Sequence, residues 1–266
     1  MAKNITLSFK PTSQPQSEGA KIVGEMYNMV REFHEVFSHP INSNEITADM
    51  LRLRANLIRE EAKEGVAALE NADGLEILDA AGDTIYVLAG TLVMINGALS
   101  HALAFDPFGM SMTAKVMFSF ESDFGGDMKK AFDHSLYIAS EIDDIAAMMD
   151  KGKGELAARD FEMIPAAISD AICLLSSVLK STGVDVKEMV AAIHESNMTK
   201  LWSGDALTRQ AQVAKCKYNP KDLAFRTCLS RQGMIGYRIS DGKILKCPDY
   251  TSVNLDSFLT ACTELS

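Results

Sequence analysis

Paired cysteines, tryptophan, basic charge and long apolar runs are all scarce in this chain, and each scarcity excludes something. The cysteines (Cys173, Cys216, Cys228, Cys247, Cys262) are odd in number and widely spaced. A disulfide framework is therefore excluded, and they read as free thiols of a reducing compartment. A zinc site built from the last four is the alternative, and it lacks the close ligand pair such sites use. No apolar run reaches membrane-spanning length, and the N-terminus lacks the basic-then-apolar layout of a secretory signal, so the expected location is the cytoplasm with no membrane partner. With Lys and Arg outnumbered by Asp and Glu, the net charge is −10, which argues against nucleic acid as the main partner.

What is present is the composition of an ordinary globular protein, 47% hydrophobic and 23% charged over 266 residues. The charge is uneven. Residues 200–246 hold ten Lys/Arg against three Asp, so the rest of the chain carries about −17. An acidic body with a basic extension fits a solvated tail, a partner-binding arm, or cations supplied for a phosphate beside an acidic metal site.

Residues 1–19, rich in Ser, Pro, Gln and Lys, read as a flexible arm. Helical periodicity follows from about Ala20 to Phe37 and stops at Ser38-His39-Pro40. Thr47 is placed to cap a second helix with Asp49 in its first turn, fading at Asn71-Ala72-Asp73-Gly74. A third is expected from about Leu75 to Asn96, and further ones at about 127–150, 156–181 and 186–202, with a short helix near 113–120. Asp241-Gly242 within GYRISDGKILKCPDY predicts a two-residue hairpin turn. The expected fold is all-α, a helical bundle (20–202) with a four-helix core, followed by an extension (203–266) carrying a small β-hairpin.

Two stretches repeat. SEIDDIAAMM (140–149) aligns on EEAKEGVAAL (60–69), and AISDAICLL (167–175) on AAGDTIYVL (80–88), which sets Glu141 on Glu61, Asp144 on Glu64 and Asp170 on Asp83. The pattern implies a tandem duplication with halves at about 50–98 and 127–181, forming a pseudo-dimer. In the second half Ser140 stands for Glu60 and Ala166 for Asp79. If carboxylates do chemistry, the first half is where they do it.

In that half Glu60, Glu61 and Glu64 lie within one and a half turns of the second helix, while Glu76, Asp79 and Asp83 share a face of the third. Such a cluster either raises its pKa values, spreads into solvent or holds a cation. Hard carboxylate oxygens without His or Cys at ligand spacing suit Mg²⁺, with Mn²⁺ as a substitute.

EEAKE followed by DAAGDTIYVLAG resembles the signature of the all-α NTP pyrophosphohydrolases, which include the MazG-like enzymes, dimeric dUTPases and phosphoribosyl-ATP pyrophosphohydrolases. REFHEVFSHP (31–40), HESNMTKLW (194–202) and DGKILKCPDY (241–250) resemble the phage and bacterial MazG-like branch. The resemblance implies a Mg²⁺-dependent enzyme that splits (d)NTP into (d)NMP and pyrophosphate. By matching position it implies Glu61, Glu64, Asp79 and Asp83 as metal ligands, and Glu60 as a further ligand or the orienter of the attacking water. Asn197 and Lys200 would contact the nucleotide. His34, Phe37, His39, Tyr86 and Trp202 are candidates for stacking on the base, each equally open to plain helix packing, and Lys243 and Lys246, with Tyr250 beside them, for closing over the phosphates. The family's second motif is ExxD, whereas Ala80 stands three residues before Asp83, so either Asp79 or Glu76 partners it. Relatives pair their bundles; here a homodimer and an internal substitute for pairing both remain open. The competing reading is a helical nucleotide-binding or regulatory module without catalysis.

Overall fold

The second helix shows how directly the chain dictates its local structure. Thr47 is extended and its side chain accepts a hydrogen bond from the Met50 amide, so α2 begins at Ala48 and runs to Glu70. Asp73 repeats the device on the Glu76 amide and starts α3, Gly74–Met94, one tight turn later. The computed structural model describes residues 18–43, 45–95 and 124–263. Within them α1 spans Glu18–Phe37, α4 Phe124–Asp150, α5 Gly154–Phe161, α6 Ile164–Ser181, α7 Val186–Met198, α8 Ala206–Lys215 and α9 Asp256–Thr263. The helix expected at 156–181 is two, because Pro165 suits a first turn and not a helix interior. The short helix expected near 113–120 lies outside the described residues, as does the arm up to residue 17.

α2 packs along both α3 and α4, and α6 along both α4 and α3, which makes the four-helix core. This is the packing that a duplicated helical hairpin would give. α1 and α7 lie against α3 and close the bundle on one side. Arg59 pairs with Asp143 and Arg52 with Asp150 across α2 and α4. Being only partly buried, these pairs add little, and the apolar seam carries the contact.

That seam depends on Gly65. A Cβ there would stand 2.2–2.5 Å from three carbons of the Phe132 ring, which is fully buried. Gly65→Ala would gain about 1 kcal/mol of helix propensity. Overpacking against an immovable ring costs about 1–3 kcal/mol. We therefore expect net destabilisation, read as a lower urea midpoint at unchanged m-value.

α3 is long and apolar enough to cross a membrane, and so is Gly154–Ser181, contrary to the reading of the bare sequence. In α3, 83% of the apolar window is buried inside the bundle, against 56% in the second stretch.

The C-terminal extension is a folded unit docked on the bundle. β1, Leu223–Thr227, pairs antiparallel with β2, Met234–Arg238, in the register Leu223↔Arg238 to Thr227↔Met234. The strands thus lie one step earlier in the chain than Asp241-Gly242 suggested. That dipeptide does turn the chain, with Gly242 at φ +78°. Its loop is closed by Arg238 N to Lys243 O and continues only as a bridge between Tyr237 and Ile244. Trp202 is the hub of a small separate core with Leu223, Leu245 and Cys247. Arg226 donates to the carbonyl of Phe37 at the end of α1 (2.7 Å), where a cation suits the helix dipole. The basic extension is therefore not a solvated tail.

Candidate active site

The acids of α2 and α3 meet where these helices face the end of α7 and the segment after β2. Glu61 and Asp83 line one cavity of about 100 Å³, and Glu76, Asp79 and Asp83 a second of about 410 Å³. Asp83 and Asn197 belong to both, so the acidic cluster sits between the two spaces. The helical stripe places Asp79 part-buried next to Asp83, with Glu76 at the exposed end of the row. Glu64 is exposed on α2 and faces Asp79 and Glu76 electrostatically.

These carboxylates are held at a cost. Burial, then Asp83, Glu64 and Glu60, push Glu61 well above the usual carboxylate range. Burial raises Asp83 too, and Asp79 adds to it against the pull of Lys200 and Lys246. Glu64 and Asp79 are raised, each first by burial. Among the described residues none of these four carboxylates accepts a hydrogen bond or pairs with a cation within 4 Å. Partnerless, mutually repelling hard oxygens fit a divalent cation in chemistry. As the side chains lie, no three acidic, histidine or cysteine groups among the described residues converge tightly enough to hold an ion between them. Glu61, Glu64, Asp79 and Asp83 are the carboxylates that would hold one.

Glu60 has a different role. Lys243 Nζ donates to both its carboxylate oxygens, at 2.6 and 2.5 Å, across the gap between α2 and the extension. Lys243 thus answers to Glu60. Lys200 and Lys246 face the inner acids: burial lowers Lys200 to about 8 although Asp83 and Glu61 oppose it. Lys246 lies 4.4 Å over the Tyr250 ring, and it is raised in spite of burial by Tyr250, Asp83 and Asp79.

The smaller cavity continues away from the acids between α1, α2 and α3. His34, His39 and Tyr86 line it, as does Phe33, whose ring stacks on His39 at 5.9 Å. Tyr86 is fixed by His194 Nδ1 (2.9 Å) and by Asn197, and His194 in turn by Glu32. Two expected base-stacking residues are elsewhere. Phe37 is fully buried against Phe33 and lines neither cavity. Trp202 sits in the core of the extension, its Nε1 donating to the Leu245 carbonyl at 2.9 Å. The residue that sequence reasoning missed is Arg54, buried on the cavity wall. The signal was available: it interrupts the apolar stripe Leu51, Ala55, Ile58, Ala62 at core spacing.

Residues 30–96, which hold the C-terminal part of α1 and all of α2 and α3, match the family model of phosphoribosyl-ATP pyrophosphohydrolase. This segment belongs to the all-α, MazG-like NTP pyrophosphohydrolase superfamily. Every acid named above lies in the pyrophosphohydrolase segment, while Asn197, Lys200, Lys243 and Lys246 are supplied from beyond it. Over its greater length the chain is similar to uncharacterized protein L479 of Acanthamoeba polyphaga mimivirus, 24% identical over 253 residues, covering 88% of this chain and 95% of the relative. No solved structure matches significantly. The matched family is one of hydrolases acting on acid anhydrides, and the acids of this site lie within the matched segment.

Proposed function

We propose that the chain is a Mg²⁺-dependent nucleoside triphosphate pyrophosphohydrolase, converting (d)NTP to (d)NMP and pyrophosphate. The observation that carries the reading is the partnerless acid cluster of the pyrophosphohydrolase segment, set between two cavities and faced by Lys200 and Lys246. Glu61, Glu64, Asp79 and Asp83 would hold Mg²⁺, which when bound neutralises charge developing on the departing pyrophosphate. Lys200 and Lys246, opposite the acids, suit the triphosphate oxygens. Glu60, engaged by Lys243 at the rim, would be a further ligand or orient the attacking water. Asn197, between the cavities, suits the sugar and α-phosphate.

The alternative, a nucleotide-binding module without hydrolysis, draws on the acids' failure to converge as they lie. The two are separated by measuring pyrophosphate release from a panel of dNTPs and NTPs, with Mg²⁺ and with EDTA, for wild type and Glu64→Gln. Metal-dependent release that falls at least about 100-fold in the variant supports the enzyme. Absence of release from every nucleotide, with the fold intact by circular dichroism, leaves the binding module.

A further inference from the structure

The smaller cavity contains a buried cation for which the acids give no account. Arg54 is 6% exposed, and among the described residues it has no carboxylate partner. Its Nε donates to Thr91 Oγ1 at 3.0 Å and one Nη to the Val87 carbonyl. The remaining N–H groups of the guanidinium have no acceptor among the described residues, and no Arg54 nitrogen is sealed away without a partner, so these donors open on the cavity.

Beside it stands a group of opposite hydrogen-bonding sense. His34 Nδ1 donates to the Pro40 carbonyl at 2.8 Å, which fixes the tautomer and leaves Nε2 as an acceptor. Burial, then Arg54, lowers the His34 pKa to about 3, so the ring stays neutral. Nothing among the described residues donates to Nε2. Gly90 shows that the two groups are neighbours. A Cβ on it would stand 2.6 Å from Arg54 Nη2 and 3.1 Å from His34 Nε2, so the glycine keeps room for both. The cavity wall thus offers donors from Arg54 and, next to them, one acceptor from His34, with Phe33 and Leu57 as apolar sides and Asp83 towards the acids.

We propose that this cavity selects nucleobases by their lactam edge, a carbonyl oxygen next to a ring N–H, as in uracil, thymine and guanine. The inference rests on the site being one for nucleotides. The lactam carbonyl accepts from Arg54 and the ring N–H donates to His34 Nε2. Cytosine and adenine present the reverse order, an amino group beside an unprotonated ring nitrogen. They would set donor against donor at Arg54 and lone pair against lone pair at His34, a mismatch that a built polar site penalises heavily.

The test is equilibrium binding of nucleoside monophosphates to the full chain by calorimetry in Mg²⁺ buffer, which needs no hydrolysis. dUMP and dTMP are expected to bind about 10–100-fold tighter than dCMP, and dGMP tighter than dAMP by a similar factor. N3-methyl-dTMP, in which a methyl group replaces the ring N–H donor, is expected to lose a comparable factor without any change to the protein. If neither purine binds, the pyrimidine comparison decides. Equal affinity for dUMP and dCMP, preference for dCMP, indifference to the N3-methyl group, or no binding by any of them overturns the proposal. Lactam preference without pyrophosphate release would leave the pocket standing and remove the hydrolase; hydrolysis without base preference would do the opposite.

Discussion

Glu61→Gln is expected to stabilise the ion-free protein while abolishing the proposed pyrophosphate release. Its carboxylate is pushed up by burial and by Asp83, Glu64 and Glu60, so a neutral isostere removes repulsion that folding works against. The gain should be about 0.5–2 kcal/mol, typical of relieving a site kept for function. Pyrophosphate release should fall about 10²–10⁴-fold, the several kcal/mol of charge stabilisation that a bound divalent ion contributes. The pH dependence follows from the same groups. Glu61 and Asp83 both have folded pKa values above their unfolded ones, so in EDTA their contribution to stability is complete at acid pH. It is lost as pH rises through the folded values, from the ordinary carboxylate range upward past neutrality. Thermal melts in EDTA should show wild type weakening along that range and Glu61→Gln weakening less. Mg²⁺ favours the charged carboxylates and should reverse the wild-type trend. A variant with unchanged melting and full activity would remove Glu61 from the site.

Trp202→Ala should destabilise the C-terminal unit by about 3–5 kcal/mol, as expected for truncating a buried aromatic. Trp202 is 1% exposed, exchanges backbone hydrogen bonds with Met234 and packs edge-on to Phe225 at 5.1 Å. It follows Lys200 by two residues, and its indole N–H holds the carbonyl of Leu245, the residue between Ile244 and Lys246. Loss of the ring should therefore release the lysines that face the acids while leaving α2 and α3 packed. Hydrogen exchange should rise across residues 223–247 with protection in residues 55–90 retained, and nucleotide hydrolysis should drop with it. Equal loss of protection in both regions would show that the extension and the bundle unfold as one.

The acidic face could be read directly, because a helix repeats every 3.6 residues and the spacing of Glu61, Glu64, Asp79 and Asp83 already assigns them to facing stripes. The capped start of α2 at Thr47 and of α3 near Gly74 are equally local: each rests on a side chain bonding an amide three residues on. Gly65 shows the limit. In the sequence it is only a weak helix residue, and its purpose is visible once Phe132 arrives from a helix that begins more than fifty residues later. Lys243 was expected at the phosphates, yet it spans 183 positions to engage Glu60, a contact no spacing rule contains. Trp202 and Phe37, open in the sequence to stacking or to packing, both pack in cores, since aromatic character does not say whether a ring faces a cavity or a core.

Local periodicity, capping and charge were thus enough for an all-α chain whose acids gather on two neighbouring helices. Which cations answer those acids, which aromatics line the cavity, and that Arg54 is buried beside His34 were settled by tertiary packing. Those depend on side chains brought together from α1, α2, α3, α7 and the docked extension, and burial and charge pairing between distant segments are properties of the assembled fold.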